Sequence, residues 1–405
     1  MAVGSGELPV LNPVKGFKLG TASAGIKTPG RKDLVVMELA EGSTVAGVFT
    51  QNAFCAAPVQ IARKHLSERA AAYFLVNTGN ANAGTGAEGY QDAIECCEAL
   101  AQEVSAETET ILPFSTGVIG EKLPTDKIFA ALPAAVSDLD ETGWEKAAWG
   151  ILTTDTRPKA SSLQIELNGK QVTLTGISKG SGMIKPNMAT MLGYVATDAG
   201  IEAGLLQELL KEAADNSFNR ITVDSDTSTN DACMLVATGC SGVTINRDDT
   251  EGFAAFVTAL KQVMQELAHA IVRDGEGATK FVTVQVNGAN DQQEALKTAF
   301  DIAHSPLVKT ALFASDPNWG RILAVVGRAG IENLDLEALE IYLGDVCIVR
   351  SGGRADDYTE EAGQAVMDRE EILIRVDLNR GAVSETVWTT DLSHDYVSIN
   401  ADYRS

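Results

Sequence analysis

The sequence predicts an α+β fold of layered sheets with flanking helices, and three observations carry that prediction. β-rich runs and helix-period stretches both recur along the whole chain, in its first half and again in its second. Many of the runs alternate in polarity, as strands wet on one face do, which favours antiparallel pairing over a purely parallel sheet. With 405 residues, 45% of them hydrophobic, the chain can bury a large core and lacks the composition of a disordered protein.

In chain order, LVVMEL at 34–39, TVAGVF at 44–49 and YFLVN at 73–77 read as strands. A helical pattern follows from about Tyr90 to Val104. SLQIEL and QVTLTGI flank Asn168-Gly169, a dipeptide suited to a two-residue hairpin turn because both central residues need positive φ. The apolar run after Thr190 reads as another strand. Helices are expected near 201–215, 250–272, 291–303 and 359–367, separated by the strands CMLVATG, FVTVQVNG, RILAVVG, ILIRVDL and TVWTTDL. There is no internal repeat and no low-complexity linker.

The net charge of −23, without any run of five Lys or Arg, argues against nucleic-acid and anionic-membrane partners. The acidity is uneven. Residues 1–189 carry 16 basic and 20 acidic side chains, and 190–405 carry 16 and 35, so the two parts bear −4 and −19, a hint of two different units. The opening MAVGSGELPVLNP lacks the basic-then-apolar order of a secretory signal, and the longest charge-free run, 42–62, is too polar to span a bilayer. A cytoplasmic protein is expected. Six cysteines without a C-x-x-C pair read as reduced, mostly buried thiols, and four scattered histidines give a metal site no support.

Three motifs resemble known chemistry but fit structural roles better. Gly84 to Gly89 matches G-x-G-x-x-G ahead of a helix, yet the preceding strand ends near Asn77, too early for a dinucleotide turn. Gly176-Ile177-Ser178-Lys179-Gly180 matches a nucleophile elbow, but Gly180, Gly182 and Pro186 forbid the helix that must follow at once. In TVDSDTSTND, Asp224, Asp226 and Asp231 could suggest calcium, but Ser228 and Thr229 stand where a calcium loop wants Asp or Asn and Gly. Turn and capping roles suit these carboxylates.

The unusual stretch is SKGSGMIKPNMATML, residues 178–192: glycines, two lysines and a proline, then Ala189 and Thr190 ahead of a strand. A backbone that bends sharply and then stiffens can hold a hydroxyl against its own preceding carbonyl. Attack by Thr190 on the Ala189 carbonyl would shift the acyl group from nitrogen to oxygen, and hydrolysis would leave Thr190 as a new N-terminus. Its free α-amine, with a pKa of about 7.7 to 8, would then serve as a base beside the hydroxyl. A glycine-rich loop entering a strand is the simpler alternative for the same residues.

Nine blocks in order, GVFTQNAFCAAPV, NTGNANAGTG, PFSTGVIGE, TTDTRPK, KGSGMIKPNMATML, DSDTSTND, RDGEGATK, SDPNWGR and SINADYRS, resemble the ornithine acetyltransferase family, also called glutamate N-acetyltransferase, over nearly the whole chain. The resemblance implies the fold of that family and a self-processing N-terminal-threonine enzyme of arginine biosynthesis. It implies cleavage between Ala189 and Thr190 into chains 1–189 and 190–405, with Thr190 the nucleophile and Thr116 and Gly117 the oxyanion hole. Thr153, Lys179, Thr190, Glu276, Asn400 and Ser405 match substrate-binding positions; some members end in Thr where this chain has Ser405. Lys179 suits a substrate carboxylate, and Glu276 suits the ammonium of ornithine.

The expected reaction moves acetyl from N2-acetylornithine to Thr190 and then to glutamate, without metal or redox cofactor, and acetyl-CoA is a possible second acetyl donor. The two chains are expected to associate as a heterotetramer of two copies each. Two other readings compete: an N-terminal-threonine amidohydrolase or aminopeptidase, and a nucleotide-binding protein using the glycines at 84–89.

Overall fold

A computed structural model describes residues 2–185 and 191–402, which divide into two compact units. The larger comprises Glu7–Asn219 and Asp226–Ile271, and the smaller Met1–Gly6, Arg220–Ser225 and Val272–Ser405.

The larger unit opens with β1 (Phe17–Ala22), β2 (Leu34–Leu39), β3 (Thr44–Phe49), α1 (Ala57–Glu68), β4 (Tyr73–Asn80) and α2 (Gly86–Val104). It continues with β5 (Ile111–Val118), α3 (Thr125–Ser137), α4 (Trp144–Gly150), β6 (Lys159–Leu167), β7 (Lys170–Lys179) and β8 (Leu192–Thr197). Then come β9 (Gly200–Ile201), α5 (Ala203–Asp215), β10 (Ala232–Ala237), β11 (Thr244–Ile245) and α6 (Thr250–Arg273), the last extending two residues past the unit's boundary.

Two sheets lie face to face in this unit, one ordered β1-β2-β4-β5 and the other β3-β10-β8-β7-β6. Phe17, Val35, Met37, Phe74, Val76 and Phe114 from the first meet Ile177, Leu192, Tyr194, Met234 and Val236 from the second. The outer face of the first sheet, with Leu34, Val36 and Leu75, is covered by Cys97 and Leu100 of α2 and by Ile128 and Leu132 of α3. Helix α5 packs on β3 and β10 of the second sheet. A strand covered on both sides needs apolar residues at successive positions, so LVVMEL reads as an almost unbroken hydrophobic run.

The smaller unit has β12 (Phe281–Ala289), α7 (Gln292–Ala303), α8 (Pro306–Phe313), α9 (Trp319–Arg328), β13 (Glu340–Leu343) and β14 (Val346–Arg350). It ends with β15 (Gly353–Arg354), α10 (Glu360–Met367), β16 (Glu371–Asp377), β17 (Val383–Thr390) and α11 (His394–Ala401). One sheet, ordered β15-β14-β13-β16-β12-β17, carries the core. Val282, Val284, Val286, Ile372, Ile374 and Val376 pack with Ala299, Ile302 and Val326 from the helices. On β12 these valines alternate with half-buried Thr283 and Gln285, the pattern of a strand covered on one face.

The layered α+β architecture is therefore as expected, and the sheets mix directions: β4–β5, β8–β10 and β12–β16 are parallel and most other pairs antiparallel. The hairpin at Asn168-Gly169 forms as read, with φ of +52° and +72° between β6 and β7. One strand does not form: RILAVVG lies in helix α9. The side chain of Asn318 accepts from the Arg321 N–H and caps that helix, and Ile322, Val325 and Val326 bury one stripe at helical spacing. A short β-branched run satisfies either period, and here the cap ahead of it decides. Strand β4 also runs three residues beyond Asn77.

Candidate active site

The site-forming feature of the larger unit is an irregularity where two parallel strands end. β4 and β5 stay in register from Tyr73 opposite Ile111 to Gly79 opposite Gly117, and there the pairing shifts so that Asn80 faces both Thr116 and Val118. Gly117 adopts φ of +137°, and a Cβ on it would stand 2.3 Å from the Gly79 carbonyl carbon and 2.5 Å from the Asn80 nitrogen. Only glycine fits so close an approach at that φ. Asparagines hold the bulge: Asn77 Nδ2 donates to the Asn80 carbonyl at 2.9 Å, and Asn230 Nδ2 donates to the carbonyls of Ala81 and Ser115 at 2.6 and 2.9 Å. Thr116 is buried there beside Gly117.

Lys179, the last residue of β7, is also buried, and its Nζ donates to Thr116 Oγ1 at 3.4 Å. A solvated loop charge is thereby ruled out for it. Behind Lys179 stands Asp155, whose side chain is wholly buried. Asp155 Oδ1 accepts from Lys159 Nζ at 2.5 Å and from the Gly180 N–H at 2.7 Å, while Oδ2 accepts from the Thr153 N–H at 3.0 Å and lies 4.0 Å from Lys179 Nζ. Burial is the largest single influence on the Asp155 carboxyl and pushes it up. The charges of Lys159 and Lys179 and the bonds from Lys159 and Gly180 together outweigh it and hold the carboxyl well below the ordinary carboxylate range. Asp155 thus faces two lysines, one in direct contact and one at 4.0 Å.

The structure thus sets Thr153 and Lys179 against Asp155 and, through Lys179, joins Thr116 to them. In the smaller unit it pairs Glu276 with Asn400, whose Nδ2 donates to Glu276 Oε2 at 2.8 Å. Glu276 is buried in the turn between α6 and β12. The turn is pinned from two sides: Asp391 accepts from the N–H groups of Thr279 and Lys280 at 2.8 and 3.1 Å, and Gly277, at φ of +68°, lies so close to Ser393 and Tyr396 that a Cβ would stand 2.5 Å from each. Ala189, Thr190 and Ser405 lie outside the described residues. On the far side of Thr190, the Met191 N–H donates to Asp231 Oδ1 at 2.8 Å, which fixes the entry into β8.

Asp155, Lys159 and Asn230 are the site residues that sequence reasoning missed, whereas Asp231, read as a turn or capping carboxylate, accepts the Met191 N–H in such a role. A signal existed for the first two, since TTDTRPK contains an Asp and a Lys four apart, but only Thr153 was taken from that block. The rejected motifs take structural roles. Ser178 lies inside β7, fully buried, donating to the Leu267 carbonyl at 3.4 Å with no elbow around it. At 84–89 the turn is filled by Asn82 and Thr85, whose side-chain oxygens would stand 2.4 and 1.8 Å from a Cβ on Gly89. All six cysteines are free thiols. Among the described residues no group of three or more His, Cys, Asp or Glu could hold a metal ion, and no helix is long and apolar enough to cross a membrane.

The model of the ArgJ family matches residues 18–405. The chain belongs to the ArgJ family. It is 61% identical to the arginine biosynthesis bifunctional protein ArgJ of Pseudomonas fluorescens (strain Pf0-1) and 59% identical to that of Pseudomonas syringae pv. tomato, in both cases over 100% of each chain. Among solved structures, the arginine biosynthesis bifunctional protein ArgJ from Bacillus halodurans is 40% identical, with a TM-score of 0.49 over 51% of this chain and 97% of that one. The family carries the same expectation as the nine blocks of sequence, and this ArgJ-family chain keeps Thr116 and Lys179 in hydrogen-bond contact.

Proposed function

We propose that this chain cuts itself between Ala189 and Thr190 and then moves acetyl from N2-acetylornithine to glutamate through an acetyl ester on Thr190. It is an acetyltransferase of arginine biosynthesis acting on small molecules, as its family is. One observation carries the finer reading: the Thr116 hydroxyl, next to the positive-φ Gly117, accepts from the buried Lys179, which faces the Asp155 carboxylate. A water-poor place with fixed donors and a positive charge favours an oxygen that is becoming negative, an effect commonly worth about 3 kcal/mol per donor.

The Thr190 hydroxyl attacks the acetyl carbonyl while the α-amine freed by cleavage takes its proton. The tetrahedral oxygen receives the Gly117 N–H and the Thr116 O–H. Because the Thr116 oxygen accepts from Lys179, its own proton turns elsewhere and is available to that oxygen. Collapse expels the ornithine amine, which recovers a proton from the α-ammonium, and the amine of glutamate then attacks the ester by the reverse route. Lys179 neutralises a substrate carboxylate. Glu276, held by Asn400, attracts the ornithine ammonium, and Thr153 and Ser405 supply hydroxyls to the substrate.

Acetyl-CoA is a second acetyl donor to Thr190, and no metal or redox cofactor takes part. Chains 1–189 and 190–405 stay associated, in two copies each, in the cytoplasm. Their association is supported by the sheet of the larger unit, in which β7 of the first chain pairs with β8 of the second from Leu174 opposite Thr197 to Lys179 opposite Leu192.

The test is mass measurement under denaturing conditions with steady-state kinetics. Wild type is expected as two fragments, and Thr190→Ala as one inactive chain. Acetylornithine without glutamate should add one acetyl group to the fragment that begins at Thr190. Intersecting double-reciprocal lines, or steady release of free acetate without glutamate, would overturn the ping-pong transfer; the second result would mark a hydrolase.

A further inference from the structure

We propose that Asp155 is a positioning residue for acetyl transfer, holding the Lys179 ammonium against the Thr116 hydroxyl so that the proton of Thr116 is aimed at the tetrahedral oxygen. The proposal rests on the reading of Thr116 as an oxyanion donor and adds a residue that makes no contact with substrate.

The geometry separates Asp155 from an ordinary buried ion pair. Satisfying Lys159 needs one carboxylate oxygen, and the 2.5 Å contact provides it. Asp155 does more. It receives the Thr153 N–H from its own loop and the Gly180 N–H from the residue after β7, so one carboxylate ties the 153–155 loop, the start of β6 and the end of β7. Its remaining neighbour is Lys179 at 4.0 Å, too far for a hydrogen bond but close enough for a strong pull between buried charges. The ammonium is thereby held between the Asp155 carboxylate and the Thr116 oxygen.

Neutralising Asp155 removes the carboxylate charge that Lys159 contacts and Lys179 faces and weakens the tie to the Gly180 N–H next to Lys179. The Lys179 ammonium is then held less firmly against Thr116, and the hydroxyl rotor of Thr116 is set less firmly by a donor on its far side. The loss falls on the tetrahedral intermediate, where the Thr116 proton is needed, and less on the bound substrate.

The experiment uses the self-cut, full-length enzyme and compares D155N, T116A and the double variant in acetylornithine–glutamate exchange. D155N is expected to lower kcat about tenfold or more, with a smaller rise in KM because Lys179 also faces a substrate carboxylate, and T116A to lower kcat about 100-fold. The double variant is expected to be no slower than T116A within about threefold, because Asp155 acts through Thr116. Losses that multiply in the double variant, or a raised KM at unchanged kcat in D155N, would overturn the proposal. Full kcat in T116A would instead remove the oxyanion reading itself, and the proposal with it, whatever D155N does. If D155N does not accumulate as folded, cut enzyme, D155N/K159M removes one charge of each sign and carries the same expectations.

Discussion

Buried lysines occur in both units, and they are treated differently. In the larger unit Lys159 and Lys179 share the Asp155 carboxylate, in direct contact with one and 4.0 Å from the other. In the smaller unit Lys309 is equally buried, but its Nζ donates to the Thr389 hydroxyl at 3.1 Å and to the Thr390 carbonyl, with Asp391 and Asp224 acting only through their fields. Burial is the larger influence there and lowers its pKa to about 8. At Lys309 no carboxylate is in contact to offset the cost of burial, so it can shed its proton in mildly basic solution, whereas the larger unit places a carboxylate directly between two lysines.

The largest effect that could break this comparison is expected from Asp155→Ala. It removes the buried carboxylate that Lys159 contacts and Lys179 faces, and urea titration near neutrality should show a loss of about 3 to 5 kcal/mol. Because the folded-state carboxyl is depressed, its stabilisation is complete above the unfolded pKa of about 3.9 and is lost as the pH falls below that value. The gap between wild type and variant should therefore narrow in acid. A loss under about 1 kcal/mol near neutrality would show that the trio is not held by Asp155.

Lys309 should move stability in the same direction with pH, but at the basic end of the scale. Between about 8 and the ordinary lysine value of 10.5, the unfolded chain keeps a proton that the folded chain has lost, so this group makes stability rise with pH. Its share is at most roughly 3 kcal/mol across that window. It is read as the difference between wild type and Lys309→Met, which should lack the rise. Parallel pH profiles for the two proteins would mean that Lys309 stays charged despite its burial.

A smaller effect is expected at a buried group with no polar contact among the described residues. The hydroxyl of Tyr194 lies in the core between the two sheets, packed by Phe74 and Phe114, and has no hydrogen-bond partner there. Tyr194→Phe should leave thermal stability unchanged or raise it by about 1 kcal/mol. A drop of that size would reveal a partner for the hydroxyl.

Much of the architecture was legible because it rests on local rules. The Asn168-Gly169 turn needed only two residues that accept positive φ, and the one-sided β12 announced itself by alternation. RILAVVG was misread because three β-branched residues fit a strand or a helix stripe, and the Asn318 cap that settles it precedes the run. In the candidate site, Thr116, Gly117 and Lys179 were reached through resemblance. Their contact was not legible: Thr116 and Lys179 lie 63 residues apart in the chain. Asp155 passed unnoticed because nothing in TTDTRPK says that an aspartate there will be fully buried and will face a lysine from the end of another strand.

The amino-acid order alone determined the element types with strong periodicity, the hairpin turn and the family, since each depends on neighbours within a few positions or on a match of ordered blocks. Tertiary structure alone decided that β4 and β5 meet so closely at Gly79 and Gly117 that only glycine fits, and that two lysines share one aspartate. Close approach of backbones and the balance between desolvation and ion pairing depend on distances between segments remote in the chain, and those distances exist only once the sheets have packed.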